Sequence, residues 1–114
     1  MRERQVESLD VLEIAAAWSG TQLVLRLSGE LDLCSAPQLG RALYEAAEQL
    51  PSQLILDLER MRFMDAAGIR CILTAAEIFG PRLILRRTPP YILRLFTITG
   101  LEQRLTFELD SGSG

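Results

Sequence analysis

Apolar positions along the chain recur with period two in some stretches and with a period near 3.6 in others, and the switches between them mark out strands and helices. Leu12, Ile14, Ala16 and Trp18 alternate with other residues, as do Leu23, Leu25 and Leu27 beyond the turn signal Ser19-Gly20-Thr21, which predicts a β-hairpin. Ser35-Ala36-Pro37-Gln38 then offers a capping box, with Ser35 as N-cap and Gln38 reaching back. Leu39, Ala42, Leu43, Ala46 and Leu50 follow at helical spacing, so a helix from about Ala36 to Leu50 is expected, ended before Pro51.

The run from Gln53 to Leu58 is almost continuously apolar, as in a central strand covered on both faces. Asp65, followed by small residues and Gly68, stands where a helix N-cap belongs. Ile69, Ile72, Leu73, Ala76 and Phe79 trace the apolar face of that second helix, which stops at Gly80-Pro81. Leu83-Ile84-Leu85 reads as a short buried strand. Pro89-Pro90 opens a third helix carrying Ile92, Leu93, Leu95 and Phe96, with Gly100 as its C-cap. Leu105, Phe107 and Leu109 alternate and predict a last strand near the sheet edge. This order predicts a single α/β domain: a mixed, mostly parallel sheet with an N-terminal antiparallel hairpin and helices packed against it. Residues 1–10 read as a flexible N-terminal segment, 11–110 as the domain, and 111–114, Ser-Gly-Ser-Gly, as a flexible tail.

At 114 residues the chain is large enough for a core without metal or disulfide staples. Its 48% apolar and 24% charged content are ordinary for a globular domain, and its apolar runs are too short to span a bilayer. The charged N-terminal segment lacks the apolar stretch of a secretory signal, so a cytoplasmic location is expected. A net charge of −3 with interspersed signs gives no basic footprint for nucleic acid. There are twelve Arg and no Lys, Asn or His. Lacking His, the chain lacks the usual general base and the commonest metal ligand, and it has no phosphate-binding or dinucleotide glycine pattern. No catalytic constellation can be assembled, and no cofactor or metal is implied. Cys34 and Cys71, with 36 residues between them, have no metal-ligand spacing; each reads as a packing residue, and the sharper alternative is a redox pair.

Two loops concentrate chemistry. Ser28-Gly29-Glu30-Leu31-Asp32 and Asp65-Ala66-Ala67-Gly68 both follow predicted strands, and in α/β sheets such loops gather on one edge. Glu30, Asp32 and Asp65 can form an acidic surface there; equally, Gly29 can serve a turn and the two aspartates can serve as helix caps. At these residues the chain resembles the STAS family of bacterial anti-sigma factor antagonists and their relatives. Four features match in order: Gly29-Glu30-Leu31-Asp32, the segment Leu56-Asp57-Leu58 to Phe63-Met64-Asp65, the pair Gly68-Ile69, and Thr99-Gly100-Leu101. The similarity runs from about Leu12 to Leu109.

The resemblance implies that the domain docks on an anti-sigma factor of the ATP-binding kinase fold and so releases a sigma factor. It also implies a brake, in which the kinase phosphorylates a serine directly after the aspartate. Here Ala66 occupies the phosphoacceptor position and Ala67 the next one, so transfer there is chemically impossible. Asp32 matches the family's loop aspartate implicated in partner contact, with Glu30 in support. The expected partner-binding set is therefore Glu30, Asp32, Asp65, Ala66, Ala67 and Gly68. Thr74, Thr88, Thr97, Thr99 and Ser35 stand as alternative acceptors, although local backbone bonding is the plainer role for each. Isolated domains of this family also resemble accessory subunits of membrane lipid-transport ATPases, a second reading of the function. A homodimer is compatible with either.

Overall fold

In a computed structural model, residues 5–8 are described as backbone and residues 11–108 in full; the expected tail and Leu109 lie outside the described residues. Strands β1 (Gln5–Ser8), β2 (Leu12–Ser19) and β3 (Gln22–Leu31) lead into helix α1 (Ala36–Glu48). Strand β4 (Gln53–Met64), helix α2 (Ala66–Phe79), strand β5 (Leu83–Arg86) and helix α3 (Pro90–Thr99) follow. The sheet runs in the order β1-β2-β3-β4-β5. β1–β2 and β2–β3 are antiparallel, whereas β3–β4 and β4–β5 are parallel.

The hairpin turns between Ser19 and Gln22, and Gly20 supplies the positive φ that a two-residue turn needs. Beyond it, each parallel crossover steps one strand further in the same direction. With right-handed connections, such steps place their helices on a single face of the sheet. The core agrees: Leu23, Leu25 and Leu27 of β3, Leu54, Leu56 and Leu58 of β4, and Leu83 and Leu85 of β5 form one cluster with Leu39 and Leu43 of α1, Ile72 and Phe79 of α2, and Ile92 and Phe96 of α3. No helix among the described residues is long and apolar enough to cross a membrane.

Several expectations change. The segment 1–10 is not wholly without structure, since Gln5–Ser8 pairs along the outer edge of β2. With Val6 as its one strongly apolar residue, that stretch carries little pattern of its own, and the unpaired backbone of β2 supplies the template. Among the described residues the final strand shrinks to one parallel bridge, Leu85 to Phe107, in which the Leu85 amide donates to the Thr106 carbonyl and the Glu108 amide to the Leu85 carbonyl. Phe107 nonetheless reaches the core, with its ring centroid 6.4 Å from that of Phe96. β4 continues six residues past Leu58 to Met64. The apolar pattern breaks there because register shifts in the β3–β4 pairing disturb the alternation. The capping box also does not form. Ser35 has helical backbone angles and makes no cap bond to α1, and Gln38 is buried with its side-chain amide 3.4 Å from the Leu12 carbonyl.

Candidate functional site

The two chemistry-bearing loops meet at the edge of the sheet where β3 and β4 end. Leu31 pairs with Met64, and the Asp65 amide donates to the Leu31 carbonyl at 3.2 Å, so the corner at Asp65 sits beside Asp32 across one strand pairing. Asp65 caps α2: its Oδ1 accepts from the amides of Ala67 at 2.9 Å and Gly68 at 3.1 Å, satisfying two donors that a helix end otherwise leaves open. Gly68 is required by contact. A Cβ at that position would stand 2.7 Å from the Leu31 carbonyl oxygen and 2.7 Å from Met64 Cγ, so only glycine lets α2 start this close to the sheet. Ala66 is exposed at the first turn and Ala67 is turned inward.

The Asp32 loop is knotted by its own hydrogen bonds. Asp32 Oδ1 accepts from the amides of Cys34 and Ser35, both at 3.0 Å, and lies 3.2 Å from the Ser35 hydroxyl. That hydroxyl accepts from the Asp32 amide and reaches the Glu30 carbonyl at 2.8 Å. Ser35 therefore acts from inside the loop rather than as the helix cap, and it is fully buried. Gly29, at φ +109°, would bring a Cβ to 2.1 Å from the Val11 carbonyl oxygen, which also accepts the Glu30 amide. Glu30 is partly exposed, in register with Phe63 and 4.0 Å from Arg62. Farther along the edge, the Tyr91 hydroxyl donates to the Met61 carbonyl at 2.6 Å. Burial pushes the Tyr91 phenol upward against a smaller downward pull from Arg62.

The sequence-predicted residues Glu30, Asp32, Asp65, Ala66, Ala67 and Gly68 thus come together; Asp65 caps its helix, whereas Asp32 closes the turn before α1 and does not cap it. Thr99-Gly100-Leu101 does not join them. It ends α3, with Gly100 at φ +78° and the Thr99 hydroxyl donating to the Leu95 carbonyl. Thr74 and Thr97 likewise donate to carbonyls four residues back, and the Thr88 hydroxyl is buried. Cys34 is exposed and Cys71 buried, and both are free thiols. Burial pushes the Cys71 thiol up to about 11, away from the thiolate form that redox exchange requires. Among the described residues no cluster of His, Cys, Asp or Glu is placed to hold a metal ion.

Periodicity missed two residues of this edge. Leu33 and Phe63 are large, apolar and exposed, and each is a neighbour in sequence or register of a predicted site residue. An apolar residue set between turn residues was the available signal for Leu33.

A family model described as "Mlab, STAS domain" matches residues 14–109. The anti-sigma-F factor antagonist RsfB of Mycobacterium tuberculosis is 28% identical over 71 residues, 62% of this chain; the matched region spans 58% of the length of that protein. The anti-sigma-B factor antagonist of Bacillus subtilis is 30% identical over 93 residues, 79% of this chain and 84% of that protein. The crystal structure of an anti-sigma factor antagonist from Mycobacterium paratuberculosis superposes with a TM-score of 0.80 over 91% of this chain and 92% of that one. At 23% identity that likeness establishes the fold.

Proposed function

The chain belongs to the STAS domain family, and on that premise we propose that it is an anti-sigma factor antagonist. Its β3–β4 edge docks an anti-sigma factor of the ATP-binding kinase fold and frees a sigma factor. The observation that carries this reading is the corner at Asp65: the capped helix end, the glycine pressed against Leu31 and the adjoining Asp32 loop are all in place, while Ala66 and Ala67 carry no hydroxyl.

A phosphate at that corner would add about −1.5 to −2 charges to a surface that must fit a partner, and repulsion and desolvation would oppose docking. With Ala66 exposed in its place the charge has nowhere to attach, and binding is constitutive with respect to this brake. Ser35 is buried inside the Asp32 loop, while the hydroxyls of Thr74, Thr97 and Thr99 each donate to a carbonyl of their own helix.

A pull-down from the chain's own cell extract, read by mass spectrometry, tests the class of partner. Recovery of a kinase-fold anti-sigma factor supports the proposal, while co-purification with a transport ATPase subunit would favour the accessory-subunit reading. In direct binding, Asp32→Ala and Asp65→Ala weaken the complex by loosening the two loops; absence of binding to every candidate anti-sigma factor sinks the partner assignment. Ala66→Ser restores ATP-dependent phosphorylation by a partner that retains kinase activity, measured by intact mass.

A further inference from the structure

At the docking edge, the residues that hold its shape and the residues left free to grip are different sets. Asp32 Oδ1 takes donors from Cys34 and Ser35, and Asp65 Oδ1 takes the amides of Ala67 and Gly68, so one oxygen of each carboxylate is spent on its own loop. Leu33 and Phe63, in contrast, are 72% and 47% exposed. Leu33 follows Asp32 directly and Phe63 faces Glu30 across the strand pairing, so the two flank the place where Asp65 meets Leu31. Both sit on fixed backbone: the Asp32 turn closes around Leu33, and the Tyr91 hydroxyl holds β4 at Met61, two residues before Phe63. Within residues 29–34 and 62–68, Glu30, Asp32 and Asp65 outnumber the cation Arg62, which gives the apolar pair an acidic near rim, with the exposed Arg60 and Arg70 beyond it.

We infer that Leu33 and Phe63 are the anchors of this edge, and that the anti-sigma factor receives them in an apolar recess rimmed by basic side chains. The inference rests on the docking reading above and continues the same surface. Interface energy concentrates in a few preorganised side chains that become fully desolvated, and aromatic side chains are prominent among them. Rim charges act mainly on encounter and partner choice. Asp32 and Asp65 are accordingly positioning residues that present the anchors, which is why alanine at either loosens binding without removing a contact of comparable strength.

The kinase-fold anti-sigma factor recovered above, once purified, is the probe. Affinity and rates are measured for the parent chain and for Leu33→Ala, Phe63→Ala and Asp32→Asn, with thermal unfolding of each. Leu33→Ala and Phe63→Ala should each weaken binding at least about tenfold, chiefly through faster dissociation, with unfolding temperatures unchanged. Asp32→Asn keeps the oxygen that accepts the Cys34 and Ser35 amides and should lose less affinity than either apolar variant, with the loss mostly in association and shrinking as salt is raised. Parent-like affinity in both apolar variants would overturn the inference while leaving the docking reading in place. So would a homodimer of the parent that these variants abolish without changing partner affinity. Failure of the parent chain itself to bind would remove the docking reading and the anchors with it.

Discussion

The two halves of β4 place charge and apolar surface in opposite environments. In the first half Asp57 is buried, its side chain only 1% exposed. Arg87 bonds its Oδ2, Arg26 Nε stands 3.8 Å from the same oxygen, and the Glu59 amide donates to Oδ1 at 3.1 Å. In the second half Arg60, Arg62 and Phe63 lie in water. The break comes where β4 loses a neighbour: Asp57 pairs with Arg86 at the end of β5, and from there β3 is the strand that pairs with β4, in a shifted register. A buried carboxylate with its partners is a stability arrangement, because removing a partner leaves a desolvated charge behind. An aromatic side chain left about half in water gains only part of its burial on folding, and its place at the edge makes sense for binding.

The comparison can be broken from the core side first. Ile72 is fully buried while Ile69 is only partly so, hence Ile72→Ala should cost about 4 kcal/mol in denaturant unfolding and Ile69→Ala clearly less. Equal losses would show that the start of α2 is packed as tightly as its middle. Arg87→Ala comes next, at about 2 kcal/mol, because Asp57 is buried but Arg87 is half exposed, and Arg26 and the Glu59 amide still face the carboxylate. Arg87 also has φ +52°, so alanine retains the backbone strain and loses the contacts that offset it.

Alkaline titration sharpens the same contrast. The Cys71 thiol is raised by burial from 9.0 to about 11, and Tyr91 shifts in the same direction. Between these limits the folded chain keeps a proton that the unfolded chain has released. Stability is therefore whole below pH 9 and falls toward pH 11, by about 2 kcal/mol for the thiol. Cys71→Ala should flatten that part of the profile, and Cys34 should react with an alkylating reagent at pH 8 while Cys71 does not. The smallest effect belongs to the edge itself. Asp65→Ala removes a cap and should cost about 1 kcal/mol in chemical denaturation, with Asp65→Asn restoring most of it.

Much of this molecule is legible in local spacing. The hairpin, the three helices, the Asp65 cap and the Gly100 terminus follow from residue choices within a few positions of one another, where periodicity and capping chemistry act. The misses are long-range. The Ser35 capping box is a sound local pattern, overridden because that hydroxyl is engaged with the Asp32 turn and the Glu30 carbonyl. Asp57 reads as a polar interruption in an apolar run until Arg87, thirty positions away in sequence, is seen to close over it.

By itself the sequence determined the α/β order, the family resemblance and the chemistry of the corner, since Ala66 has no hydroxyl in any fold. Only the tertiary structure decided what that corner rests on and what surrounds it. The contact of Gly68 with Leu31, the pairing that sets Asp32 beside Asp65, and the exposure of Leu33 and Phe63 all depend on β3 and β4 meeting in one register. Register is a property of two strands together, and neither strand carries it alone.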